Sequence, residues 1–126
     1  MGLNRYNTTS VSVILNKKDY NDIINYINDI KNESGYKYKL SELLNECINL
    51  SFSDKMSNLN NIKNSKISEL EKGSINTIRV GIVLPNDVFD EFAWMKEFIF
   101  KDINISELRR IFILNGFRLK KTIEGY

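Results

Sequence analysis

The sequence predicts a mainly helical single domain with one two-stranded antiparallel β-ribbon. The run TIRVGIVL at residues 77–84 alternates in the way that is typical of a half-buried strand, Pro85 ends it, and helical spacing follows. The same order occurs earlier in the chain, because VSVIL at 11–15 aligns with VGIVL at 80–84 and LSEL at 40–43 aligns with ISEL at 105–108. Each copy therefore reads strand, helix, helix, and a unit this small cannot bury its apolar face alone.

Composition limits the function classes. The 126 residues are 42% hydrophobic, enough for one shared core. No apolar run approaches membrane-spanning length and the first ten residues lack the apolar core of a signal peptide, so we expect a cytoplasmic protein without membrane contact. One cysteine and no histidine exclude an internal disulfide, a zinc cluster and a histidine-assisted nucleophile within this sequence. The acidic residues lie scattered along the predicted helices, so we expect no cofactor and no enzyme activity.

The first predicted repeat covers residues 8–52. Its strand, residues 8–15, is followed by Asn16 at the cap position of a helix that runs through about Lys31. A second helix begins near Lys39. Lysine is a poor cap, so either this helix starts earlier or the Lys39 cation faces an external anion.

Residues 53–76 are rich in Ser, Asn and Lys and predict a partly helical linker that extends the preceding helix. The second repeat, residues 77–121, has a strand, a helix after Pro85 and a last helix capped by Asn104. Glu107 lies three residues beyond this cap, which predicts a capping box in which each side chain satisfies a free backbone N–H. The end of the chain, residues 123–126, is expected to fray.

Two small residues occupy matching places in the last helix of each repeat. Ser51 and Gly116 interrupt otherwise apolar turns, so either two helices cross closely there or the positions lie on a tolerant helix surface. Cys47 aligns with Phe112 on the apolar face of its helix. We therefore interpret Cys47 as a small core residue.

Antiparallel pairing of the two strands gives a ribbon whose inner face closes on four helices. Its outer face presents Thr8, Ser10, Ser12 and Ile14 from the first strand and Thr77, Arg79, Gly81 and Val83 from the second. The segments VSVILNKKDY with KLSELLNECI, and IRVGIVLPNDVF with NISELRRIFI, resemble the ribbon-helix-helix family of DNA-binding proteins. Members normally dimerise to build the ribbon, whereas this chain looks like both subunits fused into one pseudo-twofold domain over residues 1–126. In this respect it is similar to the TraY-type accessory proteins of conjugative plasmids.

The resemblance implies that the ribbon reads double-stranded DNA in the major groove, with Arg79 best suited to a bidentate contact with guanine. It also implies phosphate binding at the N-termini of the second helices. The phosphate candidates are Lys39, Leu40, Asn104 and Ile105, together with Arg5 in the N-terminal arm. Because Gly81 thins the centre of the ribbon, that centre either sits close to the bases or has lost readout.

The implied function is sequence-specific DNA binding, either as a relaxosome accessory factor at a plasmid transfer origin or as a transcriptional repressor of its own operon. A relaxase or another plasmid-encoded protein is the expected further partner, and several molecules could assemble side by side on DNA. Two alternatives stay open. One is an antitoxin or partition adaptor that acts through protein contacts, and the other is a purely structural role.

Overall fold

The protein is mainly helical with one two-stranded antiparallel sheet. A computed structural model describes the backbone of residues 7–64 and 67–125, with side chains outside 54–64. The elements follow in the order β1 (Thr8–Asn16), α1 (Lys17–Ser34), α2 (Leu40–Asn64), β2 (Thr77–Pro85), α3 (Asn86–Phe98) and α4 (Ile105–Ile123). None of the helices in this described part of the chain is long and apolar enough to cross a membrane.

The two strands pair along their whole length, as predicted. Val13 lies opposite Val80 and Ser12 lies opposite Gly81. Backbone hydrogen bonds beyond both ends, such as that from Lys17 N–H to the Asn76 carbonyl at 2.9 Å, continue the ladder. Hydrogen-bonded and non-hydrogen-bonded residue pairs alternate along an antiparallel ladder. Counted from these end bonds, the inward-facing pairs are hydrogen-bonded and the outward-facing pairs are not. The backbone N–H and C=O groups of the outward-facing pairs therefore point to the free edges of the ribbon.

Pro85 fits this hydrogen-bonding pattern without the loss of a ladder bond. It lies opposite Thr8, at a position where the ladder needs no N–H donor, so the missing amide hydrogen breaks no bond. Its fixed φ then leads directly into α3, whose first residue is Asn86. Pro85 therefore ends the strand where the sequence places the boundary.

The core lies between the inner face of the ribbon and the four helices. Three aromatic rings, those of Phe52, Phe92 and Phe112, contact one another with centroids 5.2–5.6 Å apart. Edge-to-face and tilted contacts of this kind stabilise the core beyond the area that they bury. The fully buried apolar side chains include Val13, Leu15, Ile23, Leu43, Leu44, Cys47, Leu84, Phe92, Met95, Leu108, Phe112 and Ile113.

Helices α2 and α4 cross closely, which confirms the first of the two interpretations of Ser51 and Gly116. A Cβ placed on Gly116 would lie only 1.7 Å from the carbonyl oxygen of Cys47. Beside this crossing the Ser51 hydroxyl donates to the Phe112 carbonyl at 2.6 Å, and the Asn115 amide donates to the Ser51 hydroxyl at 3.3 Å. Cys47 is buried, as predicted, and burial raises the pKa of its thiol to about 12.

Several predicted boundaries move. Helix α1 ends at Ser34, three residues beyond the predicted Lys31, where Gly35 adopts φ 79° and donates its N–H to the Lys31 carbonyl. Helix α2 continues through Asn64, in agreement with a linker that begins as an extension of this helix. Its later side chains, from residue 54 onward, lie outside the described residues.

Asn16 does not cap α1 with its side chain, contrary to the prediction. It occupies the N-cap position, but its amide donates to the Glu69 carbonyl at 3.0 Å and accepts from the Glu71 N–H at 2.7 Å. Arg110 donates to the Ser68 carbonyl at 2.7 Å. We call residues 67–71 the strap, because these bonds hold it against the end of the ribbon and the start of α4.

The described end of the chain, which was expected to fray, bonds to two helices. Helix α4 runs through Ile123, and the next residue, Glu124, accepts hydrogen bonds from the Tyr26 hydroxyl and, at 3.1 Å, from the Lys120 ammonium. Lys120 also pairs with Glu46 at 2.9 Å. Glu124 is therefore held by side chains of α1 and α4, and Gly125 donates its backbone N–H to the Thr122 carbonyl at 3.2 Å. Position 126 lies outside the described residues.

Candidate nucleic-acid interface

The outer face of the ribbon is partly exposed, and none of its described residues is acidic. Its central rows pair Ser10 with Val83, Ser12 with Gly81 and Ile14 with Arg79. Thr8 with Pro85 and Asn16 with Thr77 close the two ends. The face therefore combines short polar and apolar side chains with a single cation.

Among the described residues of this face Arg79 is the only charged one, and its side chain reaches across the ribbon. Its guanidinium donates to the Ser12 hydroxyl on the neighbouring strand at 3.0 Å, diagonally across the ribbon. Gly81, next to both, is exposed, and an added Cβ there would meet no heavy atom within 4 Å. The absence of a side chain at Gly81 leaves the Arg79–Ser12 pair open to solvent.

The two threonines do not join this central group. Thr8 and Thr77 lie at opposite ends of the ribbon, since each pairs with the last residue of the other strand, and both are half-buried. The Thr77 hydroxyl donates to the Gly73 carbonyl at 3.0 Å. Of the eight residues predicted for the outer face, six lie together and these two lie at its ends.

Ile14 and Val83 differ although they occupy matching places in the two strands. Val83 is 44% exposed. Ile14 is half-buried and lines a cavity of about 330 Å³ that also borders Leu70, Asn104, Ser106 and Glu107. The two halves of the face are therefore not equivalent.

The first predicted phosphate site lies at the start of α2. The helix begins at Leu40, so the alternative of an earlier start for this helix is wrong and Lys39 stands at the cap position. The Lys39 side chain is exposed, and the backbone N–H of Lys39 donates to the Glu42 carboxylate at 3.2 Å. Leu40 packs against the core, and the first backbone N–H groups of the helix have no partner within the helix.

Two side chains that the sequence analysis missed tie this helix end to the ribbon. The Ser41 hydroxyl accepts from the Val83 N–H at 3.1 Å, and the Asn45 amide donates to the Val83 carbonyl at 2.8 Å. Both backbone groups point to the free edge of β2. The only sequence signal for this contact is the pair of polar residues one turn apart on one face of α2.

The second predicted phosphate site lies at the start of α4. The Asn104 side chain accepts from the Glu107 N–H at 2.8 Å, which confirms half of the capping box. The other half is wrong, because the Glu107 carboxylate instead accepts two hydrogen bonds from Arg110 at 2.7 and 2.8 Å. Ile105 packs against the core, as Leu40 does in α2.

Arg110 is the centre of a buried polar cluster under the strap. The side chain is 2% exposed, and it contacts Glu107 and the Ser68 carbonyl. Burial raises the pKa of the Asp19 carboxyl, and the positive charge of Arg110 opposes that shift. The cluster links α1, α4 and the strap at one end of the ribbon only.

No family model, curated protein or solved structure matches the chain. Among the side chains that the structure describes, no group of three or more Cys, Asp or Glu residues is placed to hold a metal ion. Arg5, the remaining phosphate candidate, lies outside the described residues. The function of the protein must therefore be inferred from the ribbon and the two helix ends beside it.

Proposed function

We propose that the protein is a sequence-specific double-stranded DNA-binding protein that inserts the outer face of its ribbon into the major groove. One observation carries the proposal. Two strands of one chain pair into an outer face on which Ser10, Arg79 and Gly81 are exposed and Ser12 is half-buried, and none of its described residues is acidic. A face without carboxylates can approach a phosphate-lined groove without electrostatic repulsion.

The dimensions of the ribbon suit the groove. Its central rows, from Ser10 to Ile14, cover about 13 Å at about 3.3 Å per residue. The two strands lie about 5 Å apart, whereas the major groove is about 12 Å wide. Short side chains at Ser10, Ser12 and Gly81 let the backbone come close to the base edges.

Base readout would centre on Arg79. A guanidinium can donate two hydrogen bonds to the O6 and N7 atoms of guanine, which discriminates against other bases by about 1–3 kcal/mol. In the free protein the Ser12 hydroxyl holds this guanidinium over the ribbon. The position that matches Arg79 in β1 is Ser10, so the two halves would read different bases and the DNA site need not be a perfect palindrome.

The phosphate contacts would come from the two helix ends. The exposed Lys39 cation and the backbone N–H groups of Leu40 and its neighbours offer an anion site at the start of α2. Asn104 and Ile105 occupy the matching place in α4, and Arg5 would contribute from the N-terminal arm. The bonds of Ser41 and Asn45 to Val83 set the first site at a fixed position relative to the ribbon.

The proposal includes a duplicated origin, in which the chain is a pseudo-dimer of two ribbon-helix-helix repeats. Its support is the order strand, helix, helix, which occurs twice, and the matching sequence segments. The biological role that we propose is that of a plasmid relaxosome accessory factor or an autorepressor. A relaxase or another plasmid-encoded protein would be the further partner.

The experiment is binding to DNA from upstream of the protein's own gene, measured by fluorescence anisotropy with nonspecific competitor at several salt concentrations. Arg79→Ala should weaken specific binding about 5–150-fold and relax base preference at one position. Lys31→Ala, an exposed cation at the far end of α1, is the matched control and should change affinity little. Equal specific affinity of the Arg79→Ala variant and the parent would show that the assigned reading residue is wrong.

A second candidate function is protein binding, as in an antitoxin or partition adaptor. It is favoured by Trp94 and Phe98 on α3, which are 50% and 58% exposed and make a tilted ring contact with centroids 5.6 Å apart. Specific DNA binding that survives Trp94→Ala but fails with Arg79→Ala would favour the DNA proposal. Absence of any competitor-resistant DNA binding by the parent protein would favour the second candidate.

A further inference from the structure

We propose that the outer face of α3 docks an arginine-rich segment of a protein partner. We call this surface the aromatic face, and it consists of Asp87, Asp90, Trp94, Glu97 and Phe98, all of which are exposed. The surface lies on a helix and not on the ribbon. The inference therefore goes beyond the proposed function, and it holds whether or not the protein binds DNA.

The first step is that the fold leaves two aromatic rings in solvent. Trp94 is 50% exposed and Phe98 is 58% exposed, and their rings contact each other with centroids 5.6 Å apart. The side of α3 that packs on the core is a different one, formed by Val88, Phe92 and Met95. The exposed pair therefore stands outside the core and is open to a partner.

The second step is a comparison with α1. Helix α3 follows the start of β2 at the same interval at which α1 follows the start of β1, and the alignment of VSVIL with VGIVL has the same offset. At this offset the five positions of the aromatic face match Lys18, Asn21, Asn25, Asn28 and Asp29, which are all exposed. These five are polar and their charges cancel. The fold therefore does not require aromatic rings or an excess of carboxylates at these positions, which points to binding as their role on α3.

The third step is charge. Residues three and four apart are neighbours on a helix, so Asp90 and Glu97 lie one turn on either side of Trp94, and Asp87 lies one turn beyond Asp90. All three carboxylates are exposed. The aromatic face thus carries three negative charges on a chain whose net charge is +2. Such a face repels DNA phosphates and attracts a basic protein segment.

The cations near α3 do not neutralise this face. Lys96 lies on another side of the helix, and its ammonium donates to the carbonyl of Lys101 at 2.6 Å. The charge of Lys101 is cancelled by the next residue, Asp102. Arg109 is buried, with its guanidinium carbon 5.3 Å from the centroid of the Phe89 ring. In the part of the chain that the structure describes, the aromatic face therefore keeps its excess of negative charge.

The combination of an indole ring with carboxylates beside it favours arginine over lysine. A guanidinium is planar, so it can stack on the ring of Trp94 while its N–H groups donate to Asp90 and Glu97. A lysine ammonium is compact and strongly hydrated, so it gains less from the ring. The occupant is therefore a basic segment that offers arginine side chains, and Phe98 extends the apolar contact.

The test uses Trp94 as the reporter, since it is the single tryptophan of the chain. A peptide that alternates arginine with alanine is titrated into the full chain at low salt, and a lysine–alanine peptide of equal length and charge is the comparison. The arginine peptide should change the emission of Trp94 saturably. It should also bind about two- to fivefold tighter than the lysine peptide, the gain expected from contact with an exposed ring.

Two variants with matched controls locate the contact. Asp90→Asn/Glu97→Gln should weaken binding of the arginine peptide about two- to tenfold, because two exposed ion pairs are lost. The control, Asp22→Asn/Asp29→Asn, removes the same charge from exposed positions of α1 and should weaken binding less. Trp94→Ala, followed by anisotropy of fluorescein-labelled peptide, should weaken binding about two- to fivefold. Its urea denaturation curve should stay close to that of the parent, because the ring lies outside the core.

Several results would overturn the assignment. These are the absence of a saturable change in Trp94 emission, equal affinity for the two peptides, or an equal loss in the two double variants. Sedimentation that shows a dimer of the parent, lost in Trp94→Ala, would replace the arginine-rich partner by a second copy of this chain. Binding of the upstream DNA is measured separately and should be unchanged in Trp94→Ala. Failure of DNA binding with intact peptide binding would overturn the proposed function alone.

Discussion

Gly116→Ala should strongly destabilise the protein, because there is no room for a side chain where α4 crosses α2. The added Cβ would lie 1.7 Å from the Cys47 oxygen, 2.4 Å from its carbonyl carbon and 2.7 Å from its Cα. These are backbone atoms of a helix and cannot rotate away. Relief to an ordinary contact of about 3.4 Å requires the two helices to move apart, and the crossing lies within the core.

The magnitude follows from three terms. Overpacking of a core costs about 1–3 kcal/mol. Separation of the helices also weakens the hydrogen bonds that Ser51 makes with Phe112 and Asn115, at about 1 kcal/mol each. Alanine recovers about 1 kcal/mol through its better helix propensity. The net loss is about 3 kcal/mol, a large share of the stability of an ordinary domain of this size.

The assay is urea denaturation followed by far-UV circular dichroism, with Gly81→Ala as the matched control. A Cβ at Gly81 meets no heavy atom within 4 Å, so this variant should keep or slightly raise the stability of the parent, by up to about 1 kcal/mol. We expect Gly116→Ala to unfold at a clearly lower urea concentration and at a temperature about 10 °C lower. If both variants unfold together with the parent, the close crossing of α2 and α4 does not exist in solution.

The other predictions concern the ribbon edge and the cluster under the strap. Ser41→Ala should cost about 1 kcal/mol in urea denaturation, because the Val83 N–H loses its protein acceptor but can reach water. Arg110→Ala should cost about 3–5 kcal/mol, since it leaves charges near the strap without their buried partner, whereas Glu107→Gln, at a half-exposed position, should cost clearly less in the same assay. Burial raises the pKa of Asp19 above 3.8, so its contribution to stability is present below pH 3.8 and is lost as the pH rises through the folded-state value. The free energy of unfolding of Asp19→Asn, relative to that of the parent, should therefore be higher at pH 7 than at pH 3. An equal difference at both pH values would contradict the burial of the Asp19 carboxyl.

Much of the fold could be predicted from local patterns. The alternation in β1 and β2 sets which side chains face inward, and the repeated segments at matching intervals suggested that the two strands pair. Pro85 marks the strand end because its geometry is fixed by its own ring. The burial of Cys47 followed from its place on the apolar face of α2.

The polar side chains show where such prediction fails. Asn16, Glu107 and Ser41 all belong to residue types that favour local bonds at helix starts, and Asn16 and Glu107 were predicted to make them. Instead Asn16 bonds residues 69 and 71, Glu107 bonds Arg110, and Ser41 bonds Val83. Each has several possible partners of similar energy, so the choice depends on what the fold brings near.

The sequence by itself determined the order of strands and helices, the inward face of each and the side chains offered on the outer face, because these depend on periodicities within a few turns. Only the tertiary structure decided that the strap lies against α4 rather than α2, and that Ser41 and Asn45 of α2 bond the edge of β2. The physical reason is range. Backbone geometry and hydrophobic alternation act between neighbours in the chain, whereas the Asn16 and Arg110 contacts join segments about 40–55 residues apart.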